Sequence, residues 1–323
     1  MSSNHQVQVQ KKVSPVGGYL GSQLKDCEWI EEGFRNLGVR SIHDGSAGGL
    51  ALPYYLAQRN WTVYVSDISY LSYTTAKAVF DSVTQTSNRL GTQLDGGFDG
   101  YLTNNLLGSL PFDREVACNI DYIASTAIRE SDWITLAALG QTLLRLSYRS
   151  YNWDKGMIRS LTKTQLLSKV THHIDRLRKI QLPGKANVVG NMPWTESPRY
   201  SDAEVFFTNP DLPFADGKQF YHSRLYENID SILQQQEYGH PRPLGKGDAQ
   251  GELQAIYDAV KGSGKHRYVA WLIEDNAYPT PEEVLLWLTN IGADVSVIPS
   301  PGRKYLLNQK HADHKVYIVV AKI

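Results

Sequence analysis

The amino-acid sequence predicts a doubly wound α/β protein in which a mostly helical insert interrupts a parallel sheet. Strand-like and helix-like segments alternate near the beginning of the chain and again from residue 186 onward. A glycine-rich turn lies between the first strand-like segment and the helix-like segment that follows it. Strand signals become sparse between residues 96 and 185. Such a β-α-β-α rhythm is typical of a parallel sheet with helices on both faces.

The first part of the chain predicts two β-α units. A helix is expected in SQLKDCEWIEEGFRNLG, because its apolar residues recur at helical spacing and it stops at Gly38. The strand VRSIH follows, and the glycine-rich stretch DGSAGGLALPYYLAQRN leads from it into a helix. WTVYVSD is the second expected strand and ISYLSYTTAKAVFDSV the next helix. Residues 1–16, which are mostly polar, are expected to form a flexible arm.

The second part of the chain predicts the insert and the rest of the sheet. Helical patterns occur around residues 119–146 and 162–180. Strands are expected in ANVVGN, EVFFTN, RYVAWLIED, DVSVIP and KVYIVVAKI, with helices near residues 223–236, 250–262 and 280–291, and a hairpin between the last two strands. The predicted organisation is therefore a domain of residues 17–95 and 186–323 that is interrupted by an insert of residues 96–185.

Composition excludes several classes of protein. The 323 residues carry a net charge of zero and 41% of them are apolar, which argues against a disordered or uniformly basic chain. Cys27 and Cys118 are too few for a disulfide framework or a metal cluster, and no metal is expected. Apolar runs stay well below the roughly 18 residues that a membrane helix needs. We therefore expect a cytoplasmic protein without a membrane partner.

A basic stretch in residues 145–185 is the main asymmetry of charge. Only Asp154 and Asp175 offset its ten basic residues, and Tyr148, Tyr151 and Trp153 lie among them. The ten are Arg145, Arg149, Lys155, Arg159, Lys163, Lys169, Arg176, Arg178, Lys179 and Lys185. Basic residues mixed with aromatic ones suit phosphate neutralisation and contact with sugars or bases. A solvated helical face is the alternative interpretation.

The segment IHDGSAGG, residues 42–49, resembles a nucleotide-binding turn. Its glycines lie where a backbone between strand and helix can approach a ligand closely. Asp67, at the tip of the second strand, could accept hydrogen bonds from ribose hydroxyls. Together they indicate an adenosine cofactor, and the absence of G-x-G-x-x-G makes a nicotinamide the weaker choice. An ordinary turn followed by a helix-capping aspartate is the alternative.

Six segments in order resemble the Dam-type class of DNA adenine N6-methyltransferases. They are YLGSQLKDCEWI, DGSAGGLALPYYL, WTVYVSDISYLSYTTAKAVF, FFTNPDLPF, QFYHSRLYENI and WLIEDNAYPTPEEV. The resemblance covers most of the chain apart from the arm and the insert. It implies a Rossmann-like, S-adenosylmethionine-dependent methyltransferase sheet with an inserted helical DNA-recognition domain, acting on adenine N6 in duplex DNA.

The resemblance also implies which residues bind. The cofactor residues would be Tyr19, Gly21, Gln23, Asp44, Gly45, Ser46, Gly48, Asp67 and Asn191. The DNA-binding residues would be Arg145, Arg149, Lys155, Arg159, Lys163, Tyr221 and Arg224.

The catalytic loop would be Asn209, Pro210, Asp211, Leu212, Pro213 and Phe214. In the family, the tetrapeptide Asp-Pro-Pro-Tyr supplies a side-chain acceptor and a backbone carbonyl for the amine, and an aromatic ring that stacks on the flipped base. One match replaces it without a gap, with Asp211 as the acceptor. The other begins at Asn209 and Pro210 and inserts two residues before Pro213. Both supply an oxygen acceptor and an aromatic ring, and both lack adjacent prolines.

Three further positions depart from the family pattern. Gln23 stands where a lysine is common, Asn191 where an acid often contacts the cofactor adenine, and Gly45 where proline is frequent. These departures keep open a catalytically impaired homologue that acts as a DNA-binding subunit, with a partner protein of a restriction-modification or defence system. Methylation of another amine, in RNA or in a protein glutamine, is a further alternative.

Overall fold

The computed structural model describes residues 14–16, 23–81, 98–147, 158, 160–210, 212–213, 223–239, 246–301, 303–304 and 313–323. Its strands are β1 Ser41–Asp44, β2 Thr62–Asp67, β3 Asn187–Asn191, β4 Val205–Thr208, β5 Tyr268–Glu274, β6 Asp294–Pro299, β7 Arg303–Lys304, β8 Asp313–His314 and β9 Val316–Lys322. Its helices are α1 Cys27–Asn36, α2 Ala51–Ala57, α3 Tyr70–Phe80, α4 Arg114–Glu130, α5 Trp133–Ser147, α6 Lys163–Lys179, α7 Ser223–Gln234, α8 Lys246–Ser263 and α9 Pro281–Asn290. Shorter helical segments are Gln23–Lys25, Leu102–Leu106 and Ser197–Tyr200.

Seven strands form one sheet in the order β3-β2-β1-β4-β5-β9-β6. The first five pair in parallel, whereas β9 runs antiparallel to both β5 and β6. The predicted doubly wound, Rossmann-like sheet is confirmed. The chain leaves β1 in one direction and returns at β4 on its other side, which creates a crevice at the carboxyl ends of these two strands.

The two faces of the sheet are buried by different helices. Alternate residues of β4 and β5 lie on the two faces of the sheet, since successive side chains of a strand point to opposite faces. Phe207 and Ala270 belong to the buried cluster beneath α1 to α7, whereas Phe206 and Trp271 belong to the cluster beneath α8 and α9. All four residues of β4 are buried, as expected for a central parallel strand.

The helices of the predicted insert pack directly on the sheet domain. Helix α5 is almost entirely buried, and a side-chain carbon at Gly140 would lie 2.6 Å from Leu71 in α3 and 2.8 Å from Leu233 in α7. Residues of α4, α5 and α6 share one buried cluster with the sheet. The boundaries of the insert stay predictions, but its helices contribute to the same core as the strands that carry the candidate site.

The N-terminal residues 14–16 also belong to the folded chain, although the flexible arm was predicted to extend to residue 16. Val16 is completely buried, and its amide donates to the carbonyl oxygen of Gly49 at 3.2 Å. Among the described residues, no helix is both long and apolar enough to cross a membrane.

Candidate cofactor and catalytic site

Four polar residues meet at the carboxyl ends of adjacent strands. Asp44, Asp67 and Asn191 end β1, β2 and β3, and Asn209 follows β4 directly. Ligands of open α/β sheets bind at this edge, at the point where the strand order reverses. The residues that the sequence assigned to the cofactor turn, the ribose and the catalytic loop therefore lie along one edge of the sheet.

The glycine turn, residues 45–49, packs closely against β4 at Gly45. A side-chain carbon at Gly45 would lie 2.6 Å from the ring of Phe206, which is completely buried. The Gly45 amide donates to the carbonyl oxygen of Phe207 at 2.9 Å. Gly48 has a φ of 48°, a conformation that favours glycine. Gly45 is thus required because the phenylalanine ring occupies the space that another residue at this position would need.

Asp67 holds the glycine turn against the end of β2. Its Oδ2 accepts the Gly48 amide at 2.6 Å, and its Oδ1 accepts the Ser69 amide at 2.7 Å. The N-cap of α3 is Ser69 rather than Asp67, and Asp230 accepts the amides of the first helical turn. Asp67 therefore does more than cap a helix. Because a carboxylate has about four acceptor positions, Asp67 can accept these two amides and a ligand at the same time.

Asp44 is a buried acid with one oxygen that finds no partner among the described residues. Its Oδ1 accepts the Ser46 amide at 3.2 Å, whereas its Oδ2 is buried without a hydrogen bond. Burial raises the pKa of Asp44 to about 8; the Ser46 amide acts in the opposite direction, and the charge of Asp67 raises the pKa further. At neutral pH this carboxyl is mostly protonated, and a cationic ligand would favour its ionised form.

Asn191 uses its side chain within the protein. Its Nδ2 donates to the carbonyl oxygens of Asp67 at 2.9 Å and Ile68 at 2.7 Å. The hydroxyl of Tyr238 donates to the Ile68 carbonyl, and its oxygen lies 3.4 Å from Asn191 Oδ1. The amide therefore fixes the loop after β2, instead of pointing both of its polar groups at a ligand.

The acceptor loop, residues 209–214, is fixed to the glycine turn and to the loop after β5. The Asn209 amide donates to Ser46 Oγ at 2.6 Å, and the Tyr278 amide donates to the Pro213 carbonyl at 2.8 Å. Leu212 is buried, and its amide donates to the Pro210 carbonyl at 2.8 Å. Two predicted catalytic residues, Asp211 and Phe214, lie outside the described residues.

These contacts bear on the two ways of matching the loop to the family tetrapeptide. A match that begins at Asn209 uses the Pro210 carbonyl as the backbone acceptor, and this oxygen already accepts the Leu212 amide. The match that begins at Asp211 uses the Leu212 carbonyl instead. A carbonyl oxygen can accept two hydrogen bonds, and Asp211 lies outside the described residues, so both matches stay open.

A small cleft lies beside the acceptor loop. It has a volume of about 100 Å³ and is lined by Gln250, Tyr278, Pro279, Glu283, Val284 and Trp287. Tyr278 connects the cleft to the loop through its bond to Pro213. The sequence placed Tyr278 within a family-like segment but gave no reason to single it out, since its role depends on a main-chain bond.

The predicted DNA-binding residues are only partly described. Arg145 is exposed at the end of α5, and Lys163 is half-exposed in the first turn of α6. Arg149, Lys155, Arg159 and Tyr221 lie outside the described residues, as does the side chain of Arg224. Burial, helped by the charges of Arg176, His172, Arg145 and Lys169, lowers the pKa of His173 to about 4. The helices α5 and α6 thus share a positive field.

The N-terminal cofactor segment is described only at its end. Tyr19 and Gly21 lie outside the described residues, and Gln23 begins a short helix but its side chain is not described.

Comparison with known proteins gives only distant structural similarity. No protein family and no curated protein matches the chain. A solved structure to which it is similar is the methyltransferase domain of bacterial CtHen1. The identity is 8%, the alignment covers 93% of this chain and 98% of that domain, and the TM-score is 0.38. So distant a similarity does not assign an activity.

Proposed function

We propose that the protein is an S-adenosylmethionine-dependent methyltransferase that acts on adenine N6 in duplex DNA. The observation that carries the proposal is the direct contact between two predicted parts of the site. The Asn209 amide, at the start of the acceptor loop, donates to Ser46 Oγ in the glycine turn at 2.6 Å. A methyl donor on the turn and an amine on the loop would therefore be neighbours, as transfer between them requires.

The residues of the glycine turn and of the neighbouring strand ends fit such a cofactor. The Oδ2 of Asp44, which has no hydrogen bond among the described residues, suits a cationic group, and the amino end of S-adenosylmethionine is cationic. Asp67 lies at the tip of β2, where a carboxylate can accept from ribose hydroxyls. When bound, the cofactor supplies a methyl group that its positive sulfur already activates.

The acceptor loop would orient the amine and accept its hydrogen bonds. The lone pair of an exocyclic amine is delocalised into the ring, so acceptors beside its N–H groups help it to react. In the ungapped match these acceptors are the Asp211 carboxylate and the Leu212 carbonyl, and Phe214 stacks on the base. Fixing the loop at Ser46 and Tyr278 limits its movement, which supports this role.

Duplex DNA as the substrate rests on the resemblance and on the charge of the insert. The positive field of α5 and α6 suits a long anionic substrate. The same field would suit RNA, so the substrate has to be decided by measurement.

The second candidate is a catalytically impaired homologue that binds DNA as a subunit of a restriction-modification or defence system. The side chain of Asn191 favours this candidate, because it bonds to the carbonyls of Asp67 and Ile68. A residue that fixes the main chain in this way offers less to a cofactor adenine than a ligand-facing acid would.

The deciding experiment is calorimetry with S-adenosylmethionine, with and without mixed-sequence duplex DNA, followed by transfer of a labelled methyl group. Micromolar binding and label in adenine N6 would support the proposal. Duplex binding without cofactor binding would support the impaired homologue. Label in single-stranded RNA or in protein, but not in duplex DNA, would overturn the assigned substrate.

A further inference from the structure

Arg176, in the basic stretch, is directed at the main chain rather than at solvent. Its Nη1 donates to the Pro15 carbonyl at 2.7 Å and to Gln141 Oε1 at 2.8 Å. Its Nη2 donates to the Ser14 carbonyl at 2.6 Å. The guanidinium is half-buried and joins α5 and α6 to the strap, residues 14–16. The forked geometry of arginine is suited to holding two carbonyls at once.

The strap in turn holds the glycine turn. Ser14 Oγ donates to the Gly49 carbonyl at 2.9 Å, and the Val16 amide donates to the same oxygen at 3.2 Å. The neighbouring Gly48 amide reaches Asp67 Oδ2 at 2.6 Å. Hydrogen bonds, joined through the covalent chain at Ser14 and between Gly49 and Gly48, therefore lead from Arg176, through the strap, to the predicted ribose-binding carboxylate.

We propose that Arg176 is a positioning residue of the cofactor site, which holds residues 48–49 so that the turn keeps its geometry against Asp67. This inference rests on the proposed function, because the turn is the predicted cofactor site. It also removes Arg176 from the phosphate-binding residues that the basic stretch suggested. The third helix of the insert thus supports the cofactor turn with a charged side chain.

The decisive comparison is the affinity for S-adenosylmethionine, without DNA, of the wild type, Arg176→Met and Arg176→Lys. Methionine has similar bulk and no donors, so we expect affinity to fall about tenfold or more, as for loss of a charged hydrogen-bonding group. Lysine keeps the charge but loses the fork, and should recover part of the affinity. Ser14→Ala, which removes the hydroxyl contacts with the Gly49 and Val16 carbonyls, should weaken binding by about threefold.

The matched control is Arg129→Met, at the exposed end of α4 and outside the basic stretch. This control should bind the cofactor like the wild type. Thermal unfolding shows whether each variant is folded at the assay temperature. Equal affinity of the wild type and folded Arg176→Met would overturn the proposal.

Hydrogen exchange gives a second test that needs no cofactor. Amides of Ser14, Val16 and residues 45–51 should exchange faster in Arg176→Met than in the wild type or Arg129→Met. Unchanged exchange in that variant would show that Arg176 does not hold the turn. If the wild type binds no cofactor while exchange changes as expected, the proposed function fails and the positioning of the turn stands.

Discussion

Binding of S-adenosylmethionine should depend on pH through Asp44. In the free protein burial raises the pKa of this carboxyl to about 8, and its Oδ2 has no partner among the described residues. A cationic amino group beside Oδ2 would stabilise the ionised form, so binding at neutral pH should release a proton. Below pH 8 the free energy needed to ionise Asp44 therefore lowers the affinity for the cofactor.

The magnitude follows from proton linkage. Below pH 8 each unit of acidification should weaken binding up to tenfold, or about 1.4 kcal/mol. Between pH 8 and pH 6 the loss should therefore approach about 100-fold. Above pH 8 the α-amino group of the cofactor, with an ordinary pKa near 8, begins to lose its own charge. Affinity should consequently be highest close to pH 8.

Calorimetry from pH 6 to pH 9, in buffers of different ionisation enthalpy, measures both affinity and proton release. Asp44→Asn should remove the pH dependence below pH 8, because the amide cannot ionise. Asp202→Asn is the matched control, since its carboxyl is exposed and pairs with Lys265 at 3.2 Å. Constant wild-type affinity from pH 6 to pH 8, without proton release, would refute the role of Asp44.

Three further outcomes are expected. Gly45→Ala should lower the free energy of unfolding by about 1–3 kcal/mol in denaturant, because its new carbon meets Phe206. Gly108→Ala, which has open space around it, should not. Equal stability of Gly45→Ala and the wild type would contradict the packing of the turn. Asp211→Ala should lower the rate of methyl transfer on the order of 100-fold with little change in duplex affinity. Phe214→Ala should weaken duplex binding by about 1–3 kcal/mol. Full activity in both variants would mean that the catalytic loop is misassigned. Arg145→Ala and Lys163→Ala should each reduce the slope of duplex affinity against salt by about one, and unchanged slopes would place the DNA elsewhere.

The pH dependence of stability provides a related check on Asp44. Its folded pKa, about 8, lies above the unfolded value, so its stabilising contribution is complete below the unfolded pKa. This contribution is lost as pH rises towards 8, by up to about 1.4 kcal/mol per unit. Buried His43 acts in the opposite direction at acid pH, because burial lowers its pKa to about 3 and its neutral form is favoured. His173 and His266, whose pKa values burial also lowers, act in the same direction as His43, so the contribution of Asp44 is measured between about pH 7.5 and pH 8, where free histidine is mostly neutral.

The local sequence was sufficient to predict helices and strands, whereas the assignment of the site residues stays a prediction. Strand periodicity, helix spacing and the glycines of residues 45–49 are read from neighbouring residues, and β1, α2, β2 and α3 occur where these patterns predicted them. Because parallel strands bring their carboxyl ends to one edge, Asp44, Asp67 and Asn209 could be expected together before any contact was known. The sequence shows a glycine at position 45, but not that the ring of Phe206 occupies the space that a larger residue there would need.

Only the tertiary structure decided what surrounds these residues. The ionisation of Asp44 depends on burial by distant segments. The direction of the Arg176 side chain depends on the carbonyls of Pro15 and Ser14, which lie 161 and 162 positions earlier in the chain. The position of β9 between β5 and β6 likewise depends on strand pairing across the chain. Periodicity reports which face of an element is apolar, whereas burial, pairing and charge depend on which remote segment covers that face.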